Sequence, residues 1–484
     1  MMSIDFSSPI DHQSRYLRDL LERLQGNILR GFERDEALHV FLAFDPWRAA
    51  EAKTWIGSRI TGLVTSCRQH LEEDGRQKAH GASRSLLASF FLSATGYRAL
   101  GVPEERLPAD CRFRDGMKFS RPLLNDPPIE DWDEHFRGEI HALVLLMHDD
   151  PGELNRLARG IAAEVAGFGR VLGVERGHRL VNHNGDGIEH FGFVDGRSQP
   201  LFLIEDLERE GTLLDGASIW DPSAGLDLVL DLDTCADSSS SFGSYLVYRK
   251  LAQNVRGFRE MELEMARELG LPDVERAGAL VVGRFRDGTP LSMAYAPGMC
   301  SPVPNNFDFA ADPAGLKCPF QAHIRKANPR GDEIRKSPQK GRDHLISRQE
   351  RSHRIVRRGL PYGKRLKHPC EEQTLEEMPT SGVGMLFLCF QRDISEQFEH
   401  IQSIWMNAKD SLRRTPLTGR DPLTGQDFEV RKPGEPIAPS GQIWPTRWAT
   451  PLSEHRAFNF GGHVTMCGGE YFFAPSLTSL ARLP

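Results

Sequence analysis

Long apolar runs are missing from this sequence. The longest ones, residues 142–147 and 385–390, are far too short to cross a bilayer, which takes about 20 apolar residues, so no transmembrane helix is expected. Residues 1–19 carry Asp5 and Asp11 and lack a basic segment followed by an apolar one, so no secretory signal is expected. These absences predict a cytoplasmic protein without a membrane partner.

Paired cysteines are missing as well. The eight cysteines are spread singly, with no CxxC pair and no spacing typical of a zinc site. They are Cys67, Cys111, Cys235, Cys300, Cys318, Cys370, Cys389 and Cys467. We therefore expect reduced thiols.

Basic charge is concentrated in one segment. The chain has 484 residues, 39% of them hydrophobic, which suggests more than one domain or a large duplicated one. Its net charge is −7, yet residues 325–367 hold fifteen Lys or Arg against four acids. A solvated basic loop and a site for an anion are both open interpretations. Nucleic-acid binding is disfavoured by the acidic chain and the absence of a recognisable nucleic-acid module.

Apolar runs that end in a helix start or a turn recur four times and predict strands. These runs are residues 37–44, 140–147, 277–285 and 383–390. Asp45 and Asp150 follow the first two, each before a proline, where Asp can cap a helix and Pro fits its first turn. A helix near residues 393–405 follows the last run. The repeated pattern predicts an α+β architecture of two related domains.

The boundary between the domains is predicted at residues 231–241, where polar residues and four serines interrupt the pattern. It divides the chain into an N-terminal domain, residues 1–235, and a C-terminal domain, residues 236–484. Regular periodicity fades over residues 302–358, which indicates a long ordered loop or a segment that embraces a ligand.

One motif presents a carboxylate from a tight turn. In residues 192–196, Gly-Phe-Val-Asp-Gly, two glycines flank the segment that carries Asp195 and let the backbone approach a flat ligand. Most Asp-Gly pairs are plain turns, so the motif alone is weak evidence for catalysis.

This motif resembles the GxxDG motif of the dye-decolourising peroxidase family, and the flanking residues 189–191 and 198–200 fit the same family. Three further segments resemble its longer members: residues 25–32, 243–251 and 469–476. The matches keep their order and span nearly the whole chain, so together they identify the family better than any single motif does.

The resemblance implies two ferredoxin-like domains of the dimeric α+β barrel type, with haem b held mainly by the C-terminal half. It also implies a role for three residues: Asp195 as the distal aspartate, His323 as the proximal iron ligand, and Arg357 as the distal arginine in contact with the cofactor. The interval between the last two is long for the family, so Arg358 is an alternative to Arg357. His190 is the rival to His323.

The implied chemistry explains these residue types. A single imidazole ligand leaves the other face of a haem iron open to hydrogen peroxide. Cleavage of the O–O bond moves a proton between the two oxygens, which Asp195 can accept and return. Arg357 would stabilise the developing charge and keep Asp195 ionised, which predicts an acidic optimum for the oxidation of dyes and phenolic donors. The alternative is a haem-binding or haem-handling protein in which this pair merely anchors the cofactor.

Further residues are expected around the haem. Gly196 and Ser198 belong to the distal motif, and Arg325, two residues after the proximal histidine, is a candidate partner for a haem propionate. Met385 and Phe387 share one face of a predicted strand and are either the apolar distal pair or ordinary core.

The proximal histidine needs an acceptor for its second ring nitrogen, and Asp421 is the candidate. Bulky dyes would need a wide channel or an aromatic relay to the surface. Trp405, Trp444, Trp448 and Tyr471 are candidate relays, with plain packing as the competing role for each.

Overall fold

The computed structural model describes residues 5–80, 84–213, 216–236, 240–299, 302–336, 343–411, 418–426 and 441–483. Its strands are β1 (Glu36–Phe44), β2 (Leu87–Leu92), β3 (Ala142–His148), β4 (Gly169–His178), β5 (Leu180–Val181), β6 (Gly187–Ile188), β7 (Asp231–Leu232), β8 (Phe242–Gln253), β9 (Val356–Arg357), β10 (Leu360–Tyr362), β11 (Gly384–Gln391), β12 (Ile443–Trp444), β13 (Arg456–Ala457) and β14 (Val464–Ala474).

The helices surround these strands. The α-helices are α1 (Arg18–Arg23), α2 (Ala49–Trp55), α3 (Thr61–Leu63), α4 (Cys67–His80), α5 (Ala94–Ala99), α6 (Cys111–Asp115), α7 (Met117–Leu124), α8 (Glu134–Arg137), α9 (Pro151–Val165), α10 (Ile204–Gly211), α11 (Val255–Leu269), α12 (Val274–Val282), α13 (His323–Ala327), α14 (Asp332–Lys336), α15 (Asp343–Ser352) and α16 (Leu477–Ala481). Two π-helical segments, Ile56–Ile60 and Ser395–Met406, add to them. Short 3₁₀ turns are Arg15–Leu17, Pro46–Arg48, Glu104–Arg106, Ile129–Asp131, Leu226–Leu228, Leu375–Glu377 and Leu452–Glu454.

The large sheet closes into a barrel. Its strand order is β7-β8-β14-β2-β3-β1-β4-β10-β11-β9, and an additional pairing of β8 with β11 completes the ring. All of these pairs are antiparallel. Closure leaves few unpaired strand edges.

Two strand groups meet at narrow junctions in this barrel. Strands β1 to β4 with α9 come from the first half of the chain, and β8, β10, β11 and β14 come from the second. The groups join where Phe473 pairs with Leu92 and where Tyr362 pairs with Gly177. The predicted α+β fold of two ferredoxin-like units is confirmed, and their sheets form one barrel.

Three of the four predicted strands are present, and Asp45 and Asp150 cap the turns that follow the first two. The predicted strand over residues 277–285 is wrong, because α12 occupies Val274–Val282 with Asp273 as its cap. Its run of Ala, Leu and Val is buried all round. A short apolar run of this kind has no periodicity that separates a buried helix from a buried strand.

The predicted domain boundary lies between β7 and β8, and residues 237–239 of it lie outside the described residues. Within the described ranges, no helix combines the length and the apolar character needed to cross a membrane. Seven of the cysteines are described and carry free thiols, as expected, whereas Cys300 lies outside the described residues.

Candidate active site

A large cavity lies between strands β8 and β11, helices α12 and α13, and the π-helix Ser395–Met406. It encloses about 1820 Å³ of empty space, its open mouth included. Asp195, Arg357 and His323 all line it, and they are about 39%, 30% and 25% exposed at their side chains. The structure therefore brings the three predicted site residues to one cavity.

Hydrogen bonds to Glu189 fix the loop that carries Asp195. The half-buried Glu189 carboxylate accepts hydrogen bonds from the backbone N–H groups of Phe191 (2.8 Å) and Phe193 (3.0 Å) and from the amide of Gln253 (2.5 Å). Gly192 has φ +93°, in the region that favours glycine. These contacts fix the turn that presents Asp195 to the cavity.

Arg357 is aimed at Asp195. Its position on β9 is set by pairing with β11 and by a hydrogen bond from its N–H to Oε1 of Gln199 (3.1 Å). The guanidinium donates from Nη1 to Oδ1 of Asp195 (2.7 Å) and from Nη2 to the carbonyl of Ser198 (3.2 Å). Arg358 instead donates to backbone carbonyls of the segment before β1 and does not line the cavity. Arg357 is thus the arginine that faces the site.

Burial alone would raise the pKa of Asp195. The charge and hydrogen bond of Arg357, the N–H of Gly196 (2.6 Å) and the nearby His323 charge outweigh burial and lower that pKa below its usual value. Asp195 is therefore a carboxylate that stays ionised in mildly acidic solution.

His323 begins α13 and is oriented by Asp421. Its Nδ1 is 2.8 Å from Oδ2 of Asp421, whose other oxygen accepts the N–H groups of Leu423 (2.8 Å) and Thr424 (2.7 Å). Burial opposes both charges, but their attraction dominates, lowering the pKa of Asp421 and raising that of His323. Because Nδ1 is engaged, Nε2 is the ring nitrogen left for a ligand.

His190 is placed elsewhere. Its Nε2 bonds to the backbone carbonyl of Tyr362 (2.8 Å), and the ring is buried away from the cavity. Burial lowers the pKa of His190 to about 4. His323 is the one histidine among the described residues that line the cavity.

The smaller predicted contacts also line the cavity. Ser198 donates to Oδ1 of Asn305 (2.7 Å), and Gly196 lies beside Asp195. Met385 and Phe387 alternate with buried residues on β11 and both face the cavity, which resolves the choice between cavity wall and core.

The predicted role of Arg325 is wrong. Two residues on a helix are about 200° apart, so Arg325 points away from the side that His323 occupies. Its guanidinium is buried and forms ion pairs with Asp332 (2.7 Å) and Asp312 (3.1 Å), which leaves no edge for a propionate. It is a structural charge between the rings of Phe309 and Phe320.

Two other arginines of the same basic segment, which sequence reasoning missed, line the cavity. Arg330 donates to Oγ of Ser198 (2.8 Å) and to the carbonyl of Phe307 (2.7 Å), and Arg354 donates to the carbonyl of Ser223 (2.8 Å). Neither forms an ion pair with a carboxylate in the described part of the chain. Burial lowers the pKa of Arg330 and lowers that of Arg354 to about 9. Their only signal in the sequence was the local excess of positive charge.

Comparison with known protein families gives two matches. Residues 23–173 match the DyP dimeric alpha+beta barrel domain, and residues 231–416 match the Dyp-type peroxidase, C-terminal domain. The chain belongs to the DyP-type peroxidase family. The family and enzyme class expected from the sequence are confirmed.

Relatives of this DyP-type peroxidase match over their whole lengths. The multifunctional dye peroxidase DyP2 of Amycolatopsis sp. is 41% identical over 100% of both chains, and its structure superimposes with a TM-score of 0.89. The DyP-type peroxidase of Anabaena sp. has a TM-score of 0.90 at 41% identity, covering 98% of this chain and 97% of that one. A dye-decolorizing peroxidase of Mycena epipterygia is 29% identical over 96% of this chain and 86% of its own.

DyP-type peroxidases are haem-dependent, and the cavity of this member fits such a group. Its walls supply one histidine whose Nε2 is available, an apolar pair on β11, and the buried Arg330 and half-buried Arg354, which have no ion-pair partner among the described carboxylates. Burying an arginine side chain in this way costs free energy unless an anion pairs with it. The two propionates of a haem would do so.

We expect Arg330→Met to weaken haem binding by roughly 30-fold or more, since losing one partner of a buried charge pair costs ~2 kcal/mol or more. Bound haem should also stabilise the variant less than it stabilises the wild type, because its affinity for the variant is lower. Haem titration by absorption and thermal unfolding of both forms check this. Arg156→Met is the control, since Arg156 pairs with Glu153 on the exposed face of α9. Equal haem affinities in wild type and Arg330→Met would contradict the assignment.

A second opening reaches the same carboxylate. A cavity of about 1210 Å³ of empty space, its mouth included, is lined by Asp195, Gln199, Arg357 and Met385 on one side and by residues 29–34 on the other. The Asp195–Arg357 pair thus borders two spaces, of which this one has the more polar approach.

Proposed function

We propose that this enzyme reduces hydrogen peroxide and oxidises dyes and phenolic donors, with haem b in the large cavity and His323 as the iron ligand. The observation that carries the proposal is the hydrogen-bonded pair of Asp195 and Arg357, which opens into the same cavity as the Asp421-oriented His323. The fold alone would not support this, because fold does not imply function. The division at residues 235 and 236 and the cytoplasmic location remain predictions.

Bound haem would supply the iron that receives peroxide and stores two oxidising equivalents. Asp195, held ionised, would accept a proton from one peroxide oxygen and return it to the other, which would leave as water. Arg357 keeps its guanidinium on Asp195 and offers fixed positive charge where the leaving oxygen becomes negative. The charge of Asp421 on the far side of the imidazole keeps Nε2 of His323 directed to the cavity and increases its basicity.

Access for a small peroxide is the proposed role of the second opening. It leads to Asp195 past Arg30 and Arg34, both of which form ion pairs with acids and are held in place. Peroxide entering there would reach Asp195 directly from this opening.

A haem carrier is the competing function. It would use His323 and the cavity arginines, but it has no need for a carboxylate and a guanidinium that engage each other at the cavity wall. Haem-loaded protein assayed with hydrogen peroxide and 2,6-dimethoxyphenol separates the two functions. Turnover supports the peroxidase, and stoichiometric haem binding without turnover supports the carrier.

We expect the reaction with peroxide to persist into acid. A proton acceptor must be ionised, and the lowered pKa of Asp195 moves the acid limb of kcat/KM below the ordinary carboxyl value of 3.8. Removal of the opposing charge in Arg357→Gln should move that limb to higher pH. The measurement is kcat/KM for peroxide against pH in both forms. A wild-type maximum at alkaline pH would overturn this explanation.

A further inference from the structure

A further cavity, here called the Trp448 cavity, lies on the side of α12 opposite the large active-site cavity. Its walls are Leu280, Pro445, Tyr295 and Trp448, and the cations Arg276 and Lys317 lie among them. It encloses about 680 Å³ of empty space, its open mouth included. No acidic residue is among the described residues that line it.

Arg276 is the residue of this cavity that most directly indicates a bound ligand. Its residue surface is only 8% exposed, and its Nε is buried without a hydrogen-bond partner. Asp273 is engaged by the backbone N–H of Arg276 (2.7 Å), and the guanidinium forms no ion pair within the described ranges. The guanidinium lies 5.6 Å from the ring of Phe285, and Asp273 acts on it through its charge alone, without an ion pair among the described residues. A buried cation without an anion is costly, so an anion in the cavity would relieve the cost.

The opposite wall is aromatic and fixed. Trp448 donates from Nε1 to the carbonyl of Leu291 (2.9 Å), which sets the angle of its ring. Nζ of Lys317 lies 4.8 Å from the ring centroid, so one cation already stands over this indole. Tyr295 is 67% exposed, and its ring centroid is 6.5 Å from that of Trp448. The two rings offer stacking surface at the mouth.

We propose that the Trp448 cavity binds one small aromatic anion, an aryl carboxylate or aryl sulfonate. The ring of the ligand packs against Trp448 and Tyr295, and its acid group pairs with Arg276 and Lys317. A guanidinium suits this group because its planar fork matches two anionic oxygens.

The cavity is also one helix away from the large one. Arg276 lines the Trp448 cavity and Val282 lines the large one, and the two are six positions apart on α12, roughly 9 Å of helical rise. On the proposed function, the bound anion is therefore an electron donor. Each phenolic donor loses one electron and its hydroxyl proton, so two donors reduce one hydrogen peroxide to two waters.

Calorimetric titration of the haem-loaded enzyme tests the site. The probes are naphthalene-2-sulfonate, 2-naphthoate and the neutral naphthalene-2-sulfonamide. The wild type should bind the two anions at least tenfold more tightly than the neutral probe. Arg276→Met and Lys317→Met should each weaken the anions tenfold or more. Arg447→Met is the matched control, because Arg447 lies at the same cavity but already pairs with Glu454 at 2.7 Å.

Stability separates a binding role from a structural one. Arg276→Met should unfold at the same temperature as the wild type or higher, because it removes an unpaired buried charge. If Arg276→Met fails to fold, the anion affinity of the Lys317→Met variant decides between the two roles, because the side chain of Lys317 is only half-buried. Equal binding of charged and neutral probes, or unchanged affinity in both variants, would overturn the proposal.

The donor role has its own readout. The preference for 4-hydroxybenzenesulfonate over phenol, as a ratio of kcat/KM values, should fall at least fivefold in Arg276→Met. Anion binding without any peroxide turnover would leave the site in place and refute the proposed function. Peroxide turnover without anion binding would support the proposed function and refute the proposed anion site.

Discussion

Replacing Asp195 with Asn lowers kcat/KM for hydrogen peroxide by about 10²- to 10⁴-fold, the usual contribution of general acid–base catalysis, while the enzyme keeps its haem. Asn has the size of Asp and can still contact Arg357, but it cannot take up the peroxide proton. Steady-state assays with saturating donor, and the haem-to-protein ratio, measure the two effects separately.

Arg357→Leu should cost a similar factor, about 10²- to 10³-fold, because fixed positive charge at the developing anion is lost. The Asp195→Asn/Arg357→Leu double variant should lose much less than the product, since the two residues act as a unit. Glu153→Gln is the control, because Glu153 pairs with Arg156 on the exposed face of α9. A near-normal rate in Asp195→Asn would refute the catalytic role of this carboxylate.

Replacing His323 with Ala should reduce haem affinity by at least about 100-fold, because disturbing even the partner of a metal-bound histidine costs 10- to 100-fold. No other histidine among the described residues lines the cavity to substitute for it. Haem titration by absorption measures the loss, and added imidazole should restore part of the binding. The contact with the buried Asp421 predicts a smaller loss, within that 10- to 100-fold range, for Asp421→Asn.

His190→Ala tests the rival ligand. His190 bonds to the backbone of β10 and lies outside the cavity, so its loss should affect stability but leave the haem spectrum unchanged. A His323→Ala variant with a normal haem spectrum would show that the iron ligand is another residue.

The sequence predicted the parts of the site that lie in short local motifs. Asp195 sits between glycines in a turn that needs them, the resemblance to the family implied His323 and Arg357, and Asp421 was the expected acceptor for the second ring nitrogen of His323. The structure shows that these segments, far apart in the chain, meet at one cavity. These segments meet because the barrel closes, and the periodicity of one sequence does not reveal that closure.

The arginines show where sequence reasoning failed. Charge density marked the segment 325–367 but could not say which side chains point inward. Arg325 lies on the far side of a one-turn helix and is neutralised by Asp312 and Asp332, whereas Arg330 forms no ion pair with any described carboxylate. Burial and ion pairing are tertiary properties, so only the fold could separate the two residues.

The most direct test of the account is rapid mixing of haem-loaded enzyme with one equivalent of hydrogen peroxide while the Soret band is followed. We expect the wild-type band to change in a fast second-order reaction and the Asp195→Asn band to change at least about 100-fold more slowly. Equal rates in the two proteins, or a wild-type band indifferent to peroxide, would contradict the proposed peroxidase mechanism.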